Sequence, residues 1–315
     1  MSRVIRIGTR GSKLALAQTG TMADALRATG VEVEIVPIKT PGDLSDKPIP
    51  QVGVGVFTSS LREALQRKEI DLIVHSLKDL PTTPEPGLVV AAIPLRADPR
   101  DALIARDGLT LGELPPGATV GTGSLRRTAQ LRALGLGLEI VPIRGNIDTR
   151  MRKVTDGVLD AVVLARAGLA RIGRDGEITE ILDPIQMLPA PAQGALALEC
   201  RAADVDVEHL LASTLDDEGT RAAVTAERAM MAALEAGCSS PIGALAEIVE
   251  DFDAEGAVVE RISLRGTAAA EGENGAVDMV RAIALADRSE AEQLGRTLAA
   301  ELLDLGAGAL SGPAQ

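Results

Sequence analysis

Short apolar runs alternate with longer stretches of helical periodicity over the first part of the chain. Apolar runs of this length predict strands, and apolar positions three and four residues apart predict helices. Strands are predicted at residues 4–7, 31–39, 71–74 and 88–93, helices at 13–28 and 57–68, and a Pro- and Gly-rich loop at 40–55. This alternation is typical of an α/β lobe in which helices cover a sheet.

The alternation returns after residue 95, which predicts a second α/β lobe with a parallel, helix-covered sheet. A strand-like segment at 101–105 leads into this lobe. Its alternating strands are predicted at residues 118–121, 138–143 and 160–164, and its helices at 124–134, 146–156 and 165–172. A further strand at 194–200 is expected to rejoin the first lobe, followed by a helix at 205–212.

The remaining sequence predicts a third, smaller α+β domain. It has helices at 218–235 and 289–305 and strands at 242–249, 258–265 and 277–284. The expected domains are therefore a first lobe at 1–94 with 193–213, a second lobe at 95–192, and a C-terminal domain at 214–315.

The opening of the chain is similar to its centre. Gly11-Ser12 is followed by Gln18 in the same spacing that separates Gly123-Ser124 from Gln130, and both pairs come after a predicted strand. Hydroxyl side chains and free backbone N–H groups at a helix N-terminus favour anions. We therefore expect two similar lobes that each offer a helix N-terminus to a shared cleft.

Positive charge is concentrated at the centre of the chain. Residues 119–153 contain seven cations against two anions, whereas the whole protein has a net charge of −13. Arg126 and Arg127 follow one predicted strand and Arg144 follows the next, at the sheet edge where α/β proteins bind ligands. The alternative is a solvated basic face. We favour a cleft that binds a compact anion.

A second charged pair, Lys78-Asp79, comes directly after the buried strand predicted at 71–74. That position is again the ligand end of a sheet, although a surface turn with a capping Asp would give the same sequence. His75 lies at the end of this apolar strand and is expected to be a hydrogen-bonded structural residue.

Composition excludes several classes of function. The acidic balance disfavours nucleic-acid binding, and no apolar run is long enough to cross a bilayer. The first residues contain no apolar signal region, so we expect a cytoplasmic protein without membrane contact. Two histidines with scattered cysteines predict no metal site, and Cys200 and Cys238 form no disulfide framework.

The two cysteines differ in their surroundings. Cys200 lies in an apolar strand, whereas Cys238 follows Gly237 and precedes Ser-Ser-Pro on a predicted loop. A helix C-terminus does not activate a thiol, which argues against a protease-type nucleophile. Cys238 is left as either a covalent attachment point or an incidental surface thiol.

Eight ordered motifs together resemble the porphobilinogen deaminase family, also called hydroxymethylbilane synthase. They are Arg6-Ile-Gly-Thr-Arg-Gly-Ser12, residues 71–81 (DLIVHSLKDLP), Asp98-Pro-Arg-Asp101, Gly121-Thr-Gly-Ser-Leu-Arg-Arg127, Arg144-Gly-Asn146 with Thr149-Arg150, Pro191-Ala-Gln-Gly-Ala195, Thr225-Ala-Glu-Arg228, and residues 234–243 (LEAGCSSPIG).

The resemblance implies two lobes like those of periplasmic binding proteins and a small C-terminal domain. It also implies a transferase of tetrapyrrole (haem) biosynthesis that condenses four porphobilinogens into hydroxymethylbilane and releases ammonia. The chain grows on a covalent dipyrromethane cofactor, one per protein, which Cys238 would hold by a thioether. Porphobilinogen would be the small-molecule partner, and the protein is expected to be a monomer.

Every pyrrole carries an acetate and a propionate, so the growing pyrrole chain is a polyanion. The resemblance further implies which side chains bind it. Asp79 matches the catalytic carboxylate, which stabilises a cationic pyrrole and moves protons. The implied cofactor- and substrate-binding residues are Arg10, Ser12, Ser76, Lys78, Thr122, Ser124, Arg126, Arg127, Arg144, Gly145, Arg150, Arg171 and Gln193.

Some positions depart from the family pattern. The 40–56 loop lacks lysines that are common in relatives, Gly123 replaces a Ser, and Ala192 replaces a Gly. A second hypothesis is a non-catalytic two-lobe protein that binds carboxylates or oxyanions. Cys238 and Asp79 separate the two hypotheses, because a plain binding protein needs neither.

Overall fold

The computed structural model describes residues 4–39, 58–234, 241–253, 255–271 and 277–307. The predicted loop at 40–55 and the predicted attachment residue Cys238 lie outside these ranges.

The strands follow the predicted apolar runs. In chain order they are β1 (Ile5–Arg10), β2 (Val33–Ile38), β3 (Leu72–Ser76), β4 (Leu88–Ala92), β5 (Asp101–Ala105), β6 (Thr119–Thr122), β7 (Glu139–Pro142), β8 (Ala161–Ala165), β9 (Glu180–Ile181), β10 (Leu196–Arg201), β11 (Ile242–Phe252), β12 (Val258–Glu271) and β13 (Val277–Asp287). Only the very short β9 was not predicted, because two residues carry no periodicity.

The helices occupy the segments that the helical periodicity predicts. They are α1 (Lys13–Arg27), α2 (Ser59–Gln66), α3 (Leu125–Ala133), α4 (Ile147–Thr155), α5 (Arg166–Arg171), α6 (Val205–Leu215), α7 (Glu218–Ala233) and α8 (Ala291–Asp304).

The chain up to Ala97 and the segment Ala195–Arg221 form one compact unit. Its sheet has the order β2-β1-β3-β10-β4. Strands β1, β2 and β3 are parallel, and β10 is antiparallel to β3 and β4. The prediction that the strand near 194–200 rejoins the first lobe is therefore confirmed. Aliphatic side chains of α1 and α6 pack on one face of the sheet, and those of α2 pack on the other.

The second unit comprises Asp98–Gly194 and the chain from Ala222 onward. Its first sheet, β7-β6-β8-β5-β9, repeats the strand order and directions of the sheet in the other unit. The prediction of a parallel sheet is confirmed for β6, β7 and β8, whereas β5 runs antiparallel to β8, and β9 runs antiparallel to β5. A parallel connection usually needs a crossover helix, and only short 3-10 turns lie between β5 and β6.

A separate antiparallel sheet, β11-β12-β13, also lies in the second unit. Helices α7 and α8 cover one of its faces through an Ala- and Leu-rich core. Gly295 lets these helices approach closely, because a Cβ there would lie 2.3 Å from the carbonyl oxygen of Ala226. The mixed α/β class is thus confirmed, while the three domain boundaries remain a prediction.

Candidate anion site

The carboxyl ends of β1 and β3 meet at one edge of the sheet in the first unit, because these neighbouring strands are parallel. Arg10 is the last residue of β1, and Ser12 caps α1 by accepting the N–H of Ala15 at 3.3 Å. Gln18 of α1 donates to the hydroxyl of Ser76 at 2.9 Å. This hydrogen bond joins the start of α1 to the end of β3.

Lys78 and Asp79 follow β3 on a single 3-10 turn, Leu77–Asp79. Leu77 is buried and donates its N–H to the carbonyl of Ala195 at 3.1 Å, which attaches the turn to the strand β10 segment. Asp79 is exposed, and its carboxylate has no hydrogen-bond or ion-pair partner among the described residues. The turn therefore presents a carboxylate to solvent at the carboxyl edge of the sheet.

The polar network beneath this turn includes His75. Its Nε2 lies 3.0 Å from a carboxylate oxygen of Glu199, and both side chains are buried. Arg62 of α2 donates two hydrogen bonds to the same carboxylate. Burial would raise the pKa of Glu199, but hydrogen bonds from His75 and Arg62 outweigh it and lower that pKa. His75 is thus a hydrogen-bonded residue, as the sequence analysis predicted.

The corresponding edge in the second unit is formed by the parallel strands β6, β7 and β8. Thr122 ends β6, is buried, and accepts the N–H of Ser124 at 3.2 Å. Ser124 in turn caps α3 by accepting the N–H of Arg127. Gly123 lies between them, and a Cβ there would lie 2.6 Å from the carbonyl oxygen of Ile143. The absence of a side chain at this position therefore matches the local backbone.

Asp101 is the centre of this edge, although no sequence pattern indicated a role for it. Its carboxylate accepts hydrogen bonds from Arg126 at 2.7 Å, from Arg127 at 2.8 Å and from Gln193 at 2.7 Å. All four side chains are buried. The sequence feature that could have indicated this role is the position of Asp101, a charged residue at the start of the apolar run 101–105 and the last residue of the motif Asp98-Pro-Arg-Asp101.

Two buried guanidinium groups share this single carboxylate, which leaves positive charge uncompensated. Burial would raise the pKa of Asp101, but the charges of Arg126 and Arg127 hold it well below its usual range. Burial lowers the pKa of Arg126, and its Nε has no hydrogen-bond partner in the part of the chain that the structure describes. The alternative of a solvated basic face is wrong for these two arginines.

Arg144, Gly145 and Arg150 follow β7 on the loop and helix at its carboxyl end. Arg150 donates its Nε to the carbonyl of Gly145 at 2.8 Å. Gly145 has a φ of +104°, and a Cβ there would lie 2.9 Å from the side chain of Thr149. Burial lowers the pKa of Arg150, and the charges of Arg127 and Arg144 lower it further. The charges of Arg127 and Arg144 therefore disfavour the charged form of Arg150.

Arg171 ends α5 and donates to the carbonyl of Gly194 at 2.6 Å. Burial lowers the pKa of Arg171 to about 10. Neither Arg150 nor Arg171 forms an ion pair with a described residue. Positive charges that are partly buried without a counter-ion favour binding of an anion, because the anion would replace the lost hydration.

The structure thus groups the predicted residues in two sets, one in each unit. The first set is Arg10, Ser12, Ser76, Lys78 and Asp79, and the second is Thr122, Ser124, Arg126, Arg127, Arg144, Gly145, Arg150, Arg171 and Gln193. Within the described residues, no group of His, Cys, Asp or Glu side chains could hold a metal ion. No described helix is long and apolar enough to cross a membrane.

Two family descriptions match most of the chain. "Porphobilinogen deaminase, dipyromethane cofactor binding domain" matches residues 5–209, and "Porphobilinogen deaminase, C-terminal domain" matches residues 221–304. A porphobilinogen deaminase of Nocardia farcinica is 62% identical over 303 residues, 96% of this chain and 86% of that protein. One of Mycobacterium avium is 60% identical over 304 residues, 96% of this chain and 95% of that protein.

Two solved structures of ligand-binding proteins align with about two thirds of this chain at low identity. A periplasmic substrate-binding protein of an ABC transporter from Coxiella burnetii has a TM-score of 0.43 at 14% identity, over 67% of this chain and 91% of that chain. The methionine-binding protein MetQ has a TM-score of 0.40 at 16% identity, over 67% of this chain and 89% of that chain. At these scores the likeness carries no argument about function.

Proposed function

The chain belongs to the porphobilinogen deaminase family, and we propose that it condenses four porphobilinogens into hydroxymethylbilane, releasing ammonia at each addition. The observation that supports this activity is the uncompensated positive charge around Asp101, at the carboxyl ends of β6 and β7. A growing chain of pyrroles, each with two carboxylate groups, is a ligand that such a site would bind. We further expect a cytoplasmic monomer.

The second set of residues fits the family's dipyrromethane cofactor. Its carboxylates match the buried guanidinium groups, and the orphaned Nε of Arg126 is a donor without an acceptor among the described residues. Arg126, Arg127, Arg144, Arg150 and Arg171 would hold the cofactor and the early pyrroles. When bound, the dipyrromethane supplies the pyrrole carbon to which substrate is joined.

Each arginine in this set has a distinct task in the proposal. Arg126 and Arg127 are buried and held by Asp101, so they offer charge in a fixed direction with little loss of side-chain entropy. Arg144 is exposed and Arg150 is half-buried, so they can follow a ligand that lengthens. The hydroxyl groups of Ser124 and Thr122 already accept backbone N–H groups, and their contribution is to order the backbone at the start of α3.

The first set supplies the acid–base group. Asp79 is exposed and unpaired among the described residues, so its carboxylate is suited to stabilise positive charge at a pyrrole nitrogen and to accept a proton. Lys78, on the same turn, would bind a substrate carboxylate. Arg10 and Ser12, at the end of β1, would bind a further one.

The attachment of the cofactor at Cys238 is the test that separates this function from a non-catalytic carboxylate-binding protein. We expect the purified protein to be heavier than its sequence by one dipyrromethane, as measured by intact-mass spectrometry. Cys238→Ser should have the bare mass of its sequence and no deaminase activity.

Cys200→Ala is the matched control for this measurement. Cys200 is buried in β10, and burial raises the pKa of its thiol to about 11, so it should not react. We expect Cys200→Ala to retain the added mass. Added mass that persists in Cys238→Ser, or that is absent from the wild-type protein, would contradict the proposal.

A further inference from the structure

The segment before Gln193 is a tight turn with an unusual residue at its centre. The N–H of Gln193 donates to the carbonyl of Ala190 at 2.9 Å, which closes the turn over Pro191 and Ala192. Ala192 has a φ of +61°, a left-handed conformation. Proline followed by a positive-φ residue is the pattern of a type II turn, in which glycine is the residue without steric penalty. The Ala192 side chain makes this turn strained.

Glu227 of α7 holds that strained turn. One of its carboxylate oxygens accepts the N–H of Ala192 at 2.5 Å, and the other accepts the N–H of Ala246 in β11 at 2.8 Å. Glu227 and Ala192 are completely buried. Hydrogen bonds to a carboxylate are stronger than those between neutral groups, so Glu227 can stabilise a backbone conformation that alanine disfavours.

The turn determines where Gln193 points. Its side-chain amide donates to Asp101 at 2.7 Å and to the carbonyl of Pro99 at 2.8 Å. Asp101 is the residue that orients Arg126 and Arg127. A change of the Ala192 backbone would therefore displace Gln193 and, through Asp101, the two buried arginines.

We propose that Glu227 is a positioning residue for the anion site: it keeps Ala192 in the left-handed conformation and thereby aims Gln193 at Asp101. The hydrogen bonds of Glu227 to Ala192 and Ala246 both go to backbone N–H groups. The inference rests on the proposed function, because the site that it positions is the proposed cofactor site. It also assigns a role to two features that the activity leaves unexplained, the motif Thr225-Ala-Glu-Arg228 and the alanine at position 192.

The test compares the single variant Glu227→Gln with the double variant that carries both Glu227→Gln and Ala192→Gly. Glutamine keeps the shape of the side chain but replaces one acceptor oxygen by an amide donor, which faces a backbone N–H. We expect the fraction of protein that carries the dipyrromethane mass to fall about tenfold, as loss of a buried hydrogen bond of this kind would cause. Ala192→Gly should restore that fraction to within about twofold of wild type, because glycine adopts a positive φ without strain.

Ala190→Gly in the Glu227→Gln background is the matched control. It adds a glycine to the same turn at a position without a positive φ, so it should not restore the fraction of protein that carries the dipyrromethane mass. The free energy of unfolding is measured for every variant. If Glu227 acts through the turn, Ala192→Gly restores the dipyrromethane fraction even where the stability stays below that of the wild-type protein.

The outcomes separate this inference from the proposed function. A wild-type protein without the added mass refutes the proposed function. If the wild-type protein and the Glu227→Gln variant carry the dipyrromethane mass in equal fractions, only the positioning role of Glu227 is refuted. If Glu227→Gln does not accumulate as folded protein, the inference is tested by comparing the two double variants, in which Glu227→Gln is combined with Ala192→Gly or with Ala190→Gly. No recovery with Ala192→Gly, or equal recovery with Ala190→Gly, overturns the inference.

Discussion

At the scale of single residues, the carboxylates of Asp101 and Asp79 illustrate opposite environments. Asp101 is fully buried and accepts hydrogen bonds from three side chains, whereas Asp79 is exposed on a short turn. The first environment is typical of a structural charge that organises its neighbours. The second is typical of a group that is free to meet a ligand.

Asp101→Asn should destabilise the protein strongly, because it leaves two buried guanidinium groups facing a neutral amide. We expect the free energy of unfolding to fall by about 3–5 kcal/mol, measured by chemical denaturation. Asp148→Asn is the control, since the ion pair of Asp148 with Arg174 is partly exposed and should be worth less than about 1 kcal/mol. Equal effects of the two substitutions would show that Asp101 is not the centre of the site.

Asp79→Asn should leave stability unchanged and slow the reaction. An exposed, unpaired carboxylate contributes at most about 0.5 kcal/mol to folding, whereas a missing acid–base group slows a reaction by about 10²–10⁴-fold. The variant is loaded with preformed hydroxymethylbilane, and single-turnover addition of porphobilinogen is followed by mass spectrometry. Asp24→Asn, another exposed carboxylate in the same unit, is the control. Near-normal addition in Asp79→Asn would assign catalysis to another group.

At the scale of elements, two hydrogen-bonded side chains hold opposite faces of the end of β3. Ser76 is bonded to Gln18 of α1, and His75 is bonded to Glu199 of β10. Successive side chains of a strand point to opposite faces, so these contacts fix the strand from both sides. The turn that carries Lys78 and Asp79 therefore begins from a rigid support.

Glu199→Gln should weaken this support in a pH-dependent way. The pKa of Glu199 is lowered from its ordinary value of 4.5, so its charged form contributes stability above that pH. This contribution is lost as the pH falls through the lowered pKa. We expect a stability difference from wild type of about 3–5 kcal/mol near neutral pH, which narrows as the pH falls below about 4.5.

The exposed ion pair of Glu69 with Arg67 provides the control for this pH series. Glu69→Gln should change the free energy of unfolding by less than about 1 kcal/mol at every pH. The measurement is chemical denaturation at a series of pH values between 3 and 7. A difference between Glu199→Gln and wild type that does not change over this range would contradict the assignment.

At the scale of the whole molecule, an acidic protein carries a local excess of positive charge. The net charge is −13, yet the charges of Arg127 and Arg144 both act on Arg150 and disfavour its charged form. The lowered pKa values of Arg150 and Arg171 mean that their charged forms are destabilised in the fold. A bound polycarboxylate should relieve this cost and stabilise the folded state.

Benzene-1,2,4,5-tetracarboxylate should therefore raise the melting temperature of the Cys238→Ser protein, which lacks the cofactor. At a concentration one hundred times its dissociation constant, the expected stabilisation is about 2.7 kcal/mol. The increase in melting temperature should be small when Arg150→Leu is added to the Cys238→Ser protein. It should stay the same when Arg296→Leu, which removes an exposed arginine of α8, is added instead. Equal stabilisation of both variants would show that the polycarboxylate binds elsewhere.

The sequence by itself determined the elements and the family. Strand and helix positions follow from local periodicity and from turn residues, which is why β1 and α1 are confirmed. The Ser12 and Ser124 caps follow from short-range hydrogen bonds. The family follows from eight motifs in order, which need no knowledge of contacts.

Only the tertiary structure decided which charges neutralise one another. Asp101 and Gln193 are 92 residues apart in the chain, and Ala192 and Glu227 are 35 apart. No local pattern marks such pairs, because burial and partner choice depend on how the sheets and helices pack. For the same reason the alternation over residues 118–172 predicted the parallel strands β6, β7 and β8 but not that β5 runs antiparallel to β8. Hydrogen bonds to the buried Asp101, rather than periodicity, orient Arg126 and Arg127.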